Sequence, residues 1–262
     1  NVIIYTSLAG CFLTVLGLFV GIRQFRRRHS TGRLASPYRG AKFWHHMLRL
    51  IFGVLVLTWV FSGFTSMQPW GWLESNEETS EAVDRLSGEP VTWEKAHSAL
   101  EAQFASLRGG RRNVALIGFS QSEGQPNFLW RLADGARERF GPDGAPAPFD
   151  DAARDRAAEL LAGEGATAKA DLLTSGDEYY YPGASSSDLP ILRVTVPEAR
   201  QTRFYLDPVS GDVRFAADPG ARDFRWWHMA PHRLDFIGSP LREIVVVLLM
   251  LGVTAVCALG AW

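Results

Sequence analysis

The residues best suited to chemistry in this chain are its six histidines: His29, His45, His46, His97, His228 and His232. Four of them form two pairs, His45 with His46 and His228 with His232, and each pair stands beside a long apolar run. A neutral imidazole ligates a metal ion or the iron of a haem, and a haem in apolar surroundings passes electrons one at a time. Histidine at a membrane edge is a functional candidate by default. The plainer reading is a ring sitting among lipid headgroups, as Trp and Tyr do. On a helix His45 and His46 diverge by about 100°. His228 and His232 are spaced i and i+4 and face one way, which suits one metal ion but not the two faces of one haem. Each haem would therefore need a second ligand from another helix. His29 lies in an arginine-rich stretch and His97 on a helix of the polar region, and both read as exposed.

Other reaction signatures are missing. The chain has no Gly-x-x-x-x-Gly-Lys phosphate loop, no His-Glu-x-x-His, no Cys-x-x-Cys and no Gly-x-Ser-x-Gly. Nothing points to a nicotinamide or flavin site. Arg26, Arg27 and Arg28 are better explained by anionic lipid and topology than by nucleic acid, which is not an expected partner. Tyr179-Tyr-Tyr181 reads as a strand face, or as a contact for a protein partner.

The elements that must position these histidines follow from charge and hydropathy. Hydrophobic residues make up 47% and charged residues 21% of 262, which excludes a disordered or collagen-like chain. The formal net charge of -1 hides two opposed blocks. No Asp or Glu precedes Glu74, and residues 23–49 carry eight cations: Arg23, Arg26, Arg27, Arg28, Arg33, Arg39, Lys42 and Arg49. Residues 67–240 hold 27 acidic and 18 basic side chains, a net of -9. Three uncharged runs, 2–22, 50–72 and 244–262, flank these blocks. About 20 helical residues cross a hydrocarbon core of about 30 Å. Three such runs are hard to bury in a chain this small, so they are expected to be transmembrane helices and the lipid bilayer the first partner.

The boundaries expected are a first span at 1–22, a basic loop at 23–45, a second span at 46–68, an exported domain at 69–235 and a third span at 241–262. Cations gather on the cytoplasmic side. The basic loop is therefore expected in the cytoplasm and the acidic domain outside, in the periplasm of a bacterial inner membrane. Trp70 and Trp72 suit the outer interface. The first run is not expected to be a signal peptide, because its cations follow the apolar stretch and no small-residue cleavage site separates them. A chain opening at Asn1, and a third run stopping at Trp262 without a basic stop, are expected of a trimmed or partial chain. Cys11 and Cys257 both fall in spans, so no disulfide is expected in the exported domain.

Within that domain the spacing predicts a helix over 91–104 followed by strands at 113–119 and 127–132. A second helix is expected over 150–161, capped by Asp150 or Asp151. Strands near 178–181, 190–196 and 203–206 follow, then a turn at 207–212 and a return strand at 213–215. The pattern is helix then antiparallel strands, twice over, in units of about 90–140 and 150–216, with 141–148 as linker. The fold class expected is membrane α+β: three transmembrane helices and an exported domain of two such units.

Three segments carry a family resemblance. Arg203-Phe-Tyr-Leu-Asp-Pro-Val-Ser-Gly-Asp-Val213 resembles the closing hairpin of a PepSY domain, with its Asp-Pro-x-Ser/Thr-Gly turn. Trp44-His-His-Met-Leu-Arg-Leu-Ile-Phe-Gly53, running to Ser62-Gly63, resembles the first helix of the PepSY-associated transmembrane family. Pro231-His-Arg-Leu-Asp-Phe236 and then Pro240-Leu-Arg-Glu-Ile resemble its return helix. Gly usually stands four residues after the helix-opening His, and here that position is Arg49. The end of the first run resembles the end of the third, as if the first span were the return helix of a preceding unit.

The resemblance implies haem b-linked electron transfer, as in haem-bearing inner-membrane reductases of ferric siderophores. It implies His45 and His232 as haem ligands, with His46 and His228 as second candidates. Electrons would pass from the cytoplasmic side to an acceptor outside, such as a ferric chelate. Other membrane subunits, or a second copy of the chain, would supply further haem ligands. PepSY domains also occur as non-catalytic envelope modules that contact other proteins, and the chain would then be a binding or regulatory module. A third reading is an accessory subunit of a larger membrane complex. Glycines on the histidine faces, Gly53 with His46 and Gly63 with His45, would leave room for a porphyrin or for a close helix neighbour.

Overall fold

A computed structural model describes residues 2–27, 34–110, 113–163, 165–181, 189–197 and 201–261. In chain order they form α1 (Val2–Arg23), a short ribbon of β1 (Arg26–Arg27) and β2 (Leu34–Ala35), α2 (Ala41–Thr65), α3 (Glu77–Ser87) and α4 (Trp93–Gly109). Then come β3 (Val114–Ser122), β4 (Gln125–Leu132), β5 (Arg137–Phe140), α5 (Asp151–Ala162), β6 (Lys169–Leu173), β7 (Ile191–Thr195), β8 (Arg203–Leu206) and β9 (Val213–Ala217). The chain closes with α6 (Pro219–Phe224), a π-helical turn (Arg225–Met229), α7 (Ala230–Arg233) and α8 (Leu241–Gly260). It divides into two compact units, residues 1–74 with 223–262, and residues 75–222.

In the first unit α1, α2 and α8 are each long and apolar enough to cross a bilayer. At 1.5 Å per residue they reach about 30–37 Å. Their apolar side chains point outward as well as inward. Phe12, Leu13, Leu248 and Leu251 are more than half exposed, as lipid-facing residues are. Small residues set the helix contacts. A Cβ on Gly53 would lie 2.7 Å from Leu18, one on Gly10 3.3 Å from Val60, and one on Gly252 would collide with the Phe52 ring. These contacts make α1 and α8 both antiparallel to α2. Gly53 is thus filled by Leu18, whereas among the described residues nothing comes within 4 Å of a Cβ placed on Gly63 or Gly17. α2 begins at Ala41, so His45 and His46 lie inside the helix rather than at its opening.

The second unit carries two antiparallel sheets, ordered β3-β4-β5 and β6-β7-β8-β9. Its helices start where short polar side chains cap them: Asn76 accepts from Thr79 N, Thr92 from Lys95 N and Asp150 from Ala153 N. On the first sheet Trp130 and Phe140 stack at 4.0 Å beside Ala99 of α4. Buried Gln103 holds that core in place, accepting from Trp130 Nε1 at 3.2 Å and donating to Gly141 O at 2.9 Å. On the second sheet α3 and α5 bury Leu86, Ala157 and Leu161 against Leu192, Val194, Phe204 and Leu206. Asp218 closes this unit's ends together, accepting from Asn76 N at 2.8 Å and Thr79 Oγ1 at 3.1 Å.

Several expectations change. Residues 178–181 are not a strand. Asp177 Oδ1 accepts from the backbone of Tyr179 and Tyr180, folding the chain into a turn, and the strand beside β7 is β6, nearer the helix. Burial pushes the Asp177 carboxyl up, but those two N–H groups, the Tyr205 hydroxyl and Arg193 outweigh it and hold the group below its ordinary range. β5 and α3 were not expected from the sequence, since β5 (Arg-Glu-Arg-Phe) is mostly charged and α3 shows only a narrow apolar stripe. Residues 141–148, expected as the linker between the halves, include a hydrogen-bonded turn, with Gly141 N on Ala145 O and Gly144 N on Gly141 O.

Candidate functional site

Two histidine clusters lie at opposite ends of α2. His45 and Ser62 are 17 residues apart, about 25 Å of helix.

At the C-terminal end of α2 the chain returns through the π-helical turn, a geometry often found at functional sites. Pro231 has no N–H, so the carbonyl of Trp227 lacks its α-helical donor. Thr65 Oγ1 shares its one proton between Ser62 O at 2.9 Å and that carbonyl at 3.2 Å. Ser62, fully buried, orients both rings of the histidine pair. Its carbonyl accepts from His228 Nδ1 at 2.6 Å. Its hydroxyl donates to Trp59 O at 2.9 Å and therefore accepts from His232 Nδ1 at 3.1 Å. Both rings thus carry their proton on Nδ1, and Nε2 keeps its lone pair with no hydrogen-bond partner among the described residues. A metal-ligating imidazole is held in the same way, with its other nitrogen donating to the protein. The rings stack at 5.4 Å with 25° between their planes. Burial pushes the His228 pKa down, the Ser62 carbonyl opposes this, and His232 adds to the lowering. Arg225 and Asp235 pair at 2.9 Å, almost wholly buried, and tie the π-helical turn to the loop after α7.

At the other end His45 packs on α8, its Nδ1 donating to Val256 O at 3.2 Å, with the ring against Gly260. Its Nε2 is likewise without a partner among the described residues. His46 differs. It is 1% exposed, its Nε2 donates to Gly21 O at 2.9 Å, and its Nδ1 accepts from Ser36 Oγ at 2.7 Å. Phe25 and Tyr38 flank it at 5.0 and 5.3 Å. Both of its nitrogens are occupied, and the ring pins the loop after α1 to α2. His97 is exposed on α4, and His29 lies outside the described residues.

The structure therefore brings His228 and His232 together and keeps both far from His45. Among the described residues no three His, Cys, Asp or Glu side chains gather as a metal site. Stacked rings that face one way could not hold the two faces of one porphyrin, so the described residues do not form a complete bis-histidine site. Sequence reasoning missed Ser62 as the orienting residue. Its only signal was the Ser62-Gly63 pair within the second apolar run.

The second unit holds a separate feature. An apolar cleft of about 470 Å³ opens between α4 and β3, lined by Trp93, Leu100, Phe104, Phe119 and Phe128, with His97 at its edge.

These features define a class: a membrane-anchored protein with a bundle of three apolar helices, an oriented histidine pair and a unit of antiparallel sheets and helices. No family model, curated protein or solved structure matches the chain.

Proposed function

We propose that the chain is a PepSY-type protein of the bacterial inner membrane that takes part in haem b-linked electron transfer, as a ferric-siderophore reductase does. The observation that carries this reading is the orientation of His228 and His232 by Ser62, which leaves Nε2 of each ring as the available ligand nitrogen. His232 and His45 would hold the haem iron, with His228 as an alternative. His46 has neither nitrogen to spare and serves as a tie between α1 and α2. Haem would supply one-electron redox chemistry at each end of the bundle. The chain's own residues fix the ligand tautomers, exclude water with apolar helix faces and separate the two ends by about 25 Å. A second ligand at each end would come from another membrane subunit or a second copy of the chain. The basic loop faces the cytoplasm and residues 75–222 the periplasm, where the acceptor is a ferric chelate.

The test is an absorption spectrum of the full chain, expressed with haem supplied and purified in mild detergent with any co-purifying subunits. A Soret band with sharp α and β bands on dithionite reduction is expected, and His45→Ala and His232→Ala should each remove part of it. A flat spectrum overturns the reading.

The cleft beside α4 favours a second reading, an envelope binding module. Its exposed Trp93, Phe104 and Phe119 are aromatic anchors of the kind that dominate interfaces. On this reading a bound envelope protein is lost on Phe119→Ser and retained by His232→Ala.

A further inference from the structure

Among the described residues, the end of the bundle where α1 stops and α2 starts is cationic with no carboxylate side chain to balance it. Arg23, Arg39, Lys42 and Arg49 are all described there, and no carboxylate occurs in the first 73 residues. Among the described residues, the ion pairs of this unit are Arg225–Asp235 and Arg242–Glu243, both at the opposite end. Arg49 is the unusual member. It sits eight residues into an apolar helix, about 12 Å from its start. Its guanidinium turns back toward the end of α1, where Nη2 donates to Gln24 Oε1 at 2.7 Å. Its Nε is buried and has no hydrogen-bond partner among the described residues. A guanidinium within a membrane helix requires a partner for its charge. Its planar fork matches the two free oxygens of a phosphodiester. The surroundings are built rather than floppy. His46 bonds to Gly21 O and Ser36 Oγ, Phe25 and Tyr38 pack on its ring, and the loop ends are thereby held beside Arg49. Trp44, exposed beside Lys42, suits the headgroup level.

We propose that this end of the bundle binds the headgroup phosphodiester of an anionic membrane phospholipid, with Arg49, oriented by Gln24, as its anchor and Arg23, Arg39 and Lys42 as the surrounding field. The lipid completes the charge balance that the chain lacks here. The proposal is independent of haem binding.

The test is native mass spectrometry of the full chain released from detergent micelles holding equal amounts of phosphatidylglycerol and phosphatidylcholine. Wild type should retain phosphatidylglycerol about fivefold over phosphatidylcholine, the worth of one cation at an anionic surface. Arg49→Gln should abolish the preference and Arg49→Lys keep part of it, whereas Arg242→Gln at the other end should leave it intact. Gln24→Ala, which frees the guanidinium and leaves the helices untouched, should lower the preference and serves if Arg49→Gln does not fold. Equal retention of both lipids by wild type overturns the proposal. So does an unchanged preference in Arg49→Gln and Gln24→Ala with loss only in an Arg39→Gln/Lys42→Gln variant, which means a diffuse field. Displacement of the lipid by millimolar inorganic phosphate would make free phosphate the ligand and overturn the lipid assignment.

Discussion

Asp207→Asn in the turn after β8 tests the electrostatic clamp of the second unit. Asp207 is 2% exposed. Its Oδ2 accepts from Arg137 Nη1 at 2.6 Å and Arg214 Nη2 at 2.9 Å, and its Oδ1 accepts from Val209 N at 2.9 Å and Ser210 N at 3.2 Å. Arg137 belongs to β5 and Arg214 to β9, so one carboxylate ties the two sheets together. Burial raises its pKa, but the two N–H groups and two guanidinium groups outweigh it and hold the group at about 2, against an ordinary 3.8. At about 1.4 kcal/mol per tenfold, the charged form contributes roughly 2–2.5 kcal/mol. That contribution is complete above the unfolded value of 3.8 and disappears as pH falls through about 2. Asn keeps the shape and an acceptor oxygen but mimics the protonated state. Urea unfolding of the full chain, in a detergent that preserves the helix bundle and followed by tryptophan fluorescence, should show that loss at pH 7. The two proteins should converge near pH 2. Equal stability at pH 7, or an undiminished deficit near pH 2, would refute the assignment of the energy to charge.

Three further outcomes follow from the same geometry. Gly211→Ala places a side chain at φ +80°, with its Cβ 2.9 Å from the Phe149 ring; it should cost at least about 1–2 kcal/mol and lower the thermal midpoint of residues 75–222. Ser62→Ala removes the acceptor for His232 Nδ1 but keeps the carbonyl that holds His228, so amide exchange over residues 225–234 should quicken about fivefold, the worth of one hydrogen bond of about 1 kcal/mol. His228 has a folded pKa below its ordinary 6.5, so its contribution is complete above that value and falls as pH drops below it; the protection of amides around the π-helical turn, taken relative to the intrinsic base-catalysed exchange rate at each pH, should fall between pH 7 and pH 5, and a His228→Phe variant should lose that dependence.

Much of the architecture is legible in the sequence because its signals are local. An uncharged run of 19 or more residues must satisfy its own backbone in lipid, which only a helix does for a single segment. The cations of residues 23–49 and the acids after Glu74 are a count along the chain. Asp150 announces the start of α5 through its own side chain. The thirteen residues 169–181 show the limit. Sequence pattern placed a strand at 178–181, yet Asp177 draws that segment into a turn and β6 pairs with β7 instead, because pairing depends on which edge the folded sheet leaves open.

The histidine positions, their spacing and their place beside apolar runs were determined by the sequence alone. Which ring nitrogen each one keeps was decided by tertiary structure, since the bonds that set it join residues 166, 170 and 211 positions apart. The same holds for Gly53, a gap on the histidine face by helical periodicity but filled by Leu18 of a neighbouring helix. Periodicity fixes the direction in which a side chain points along its own element. Only the packing of another element determines what it meets there.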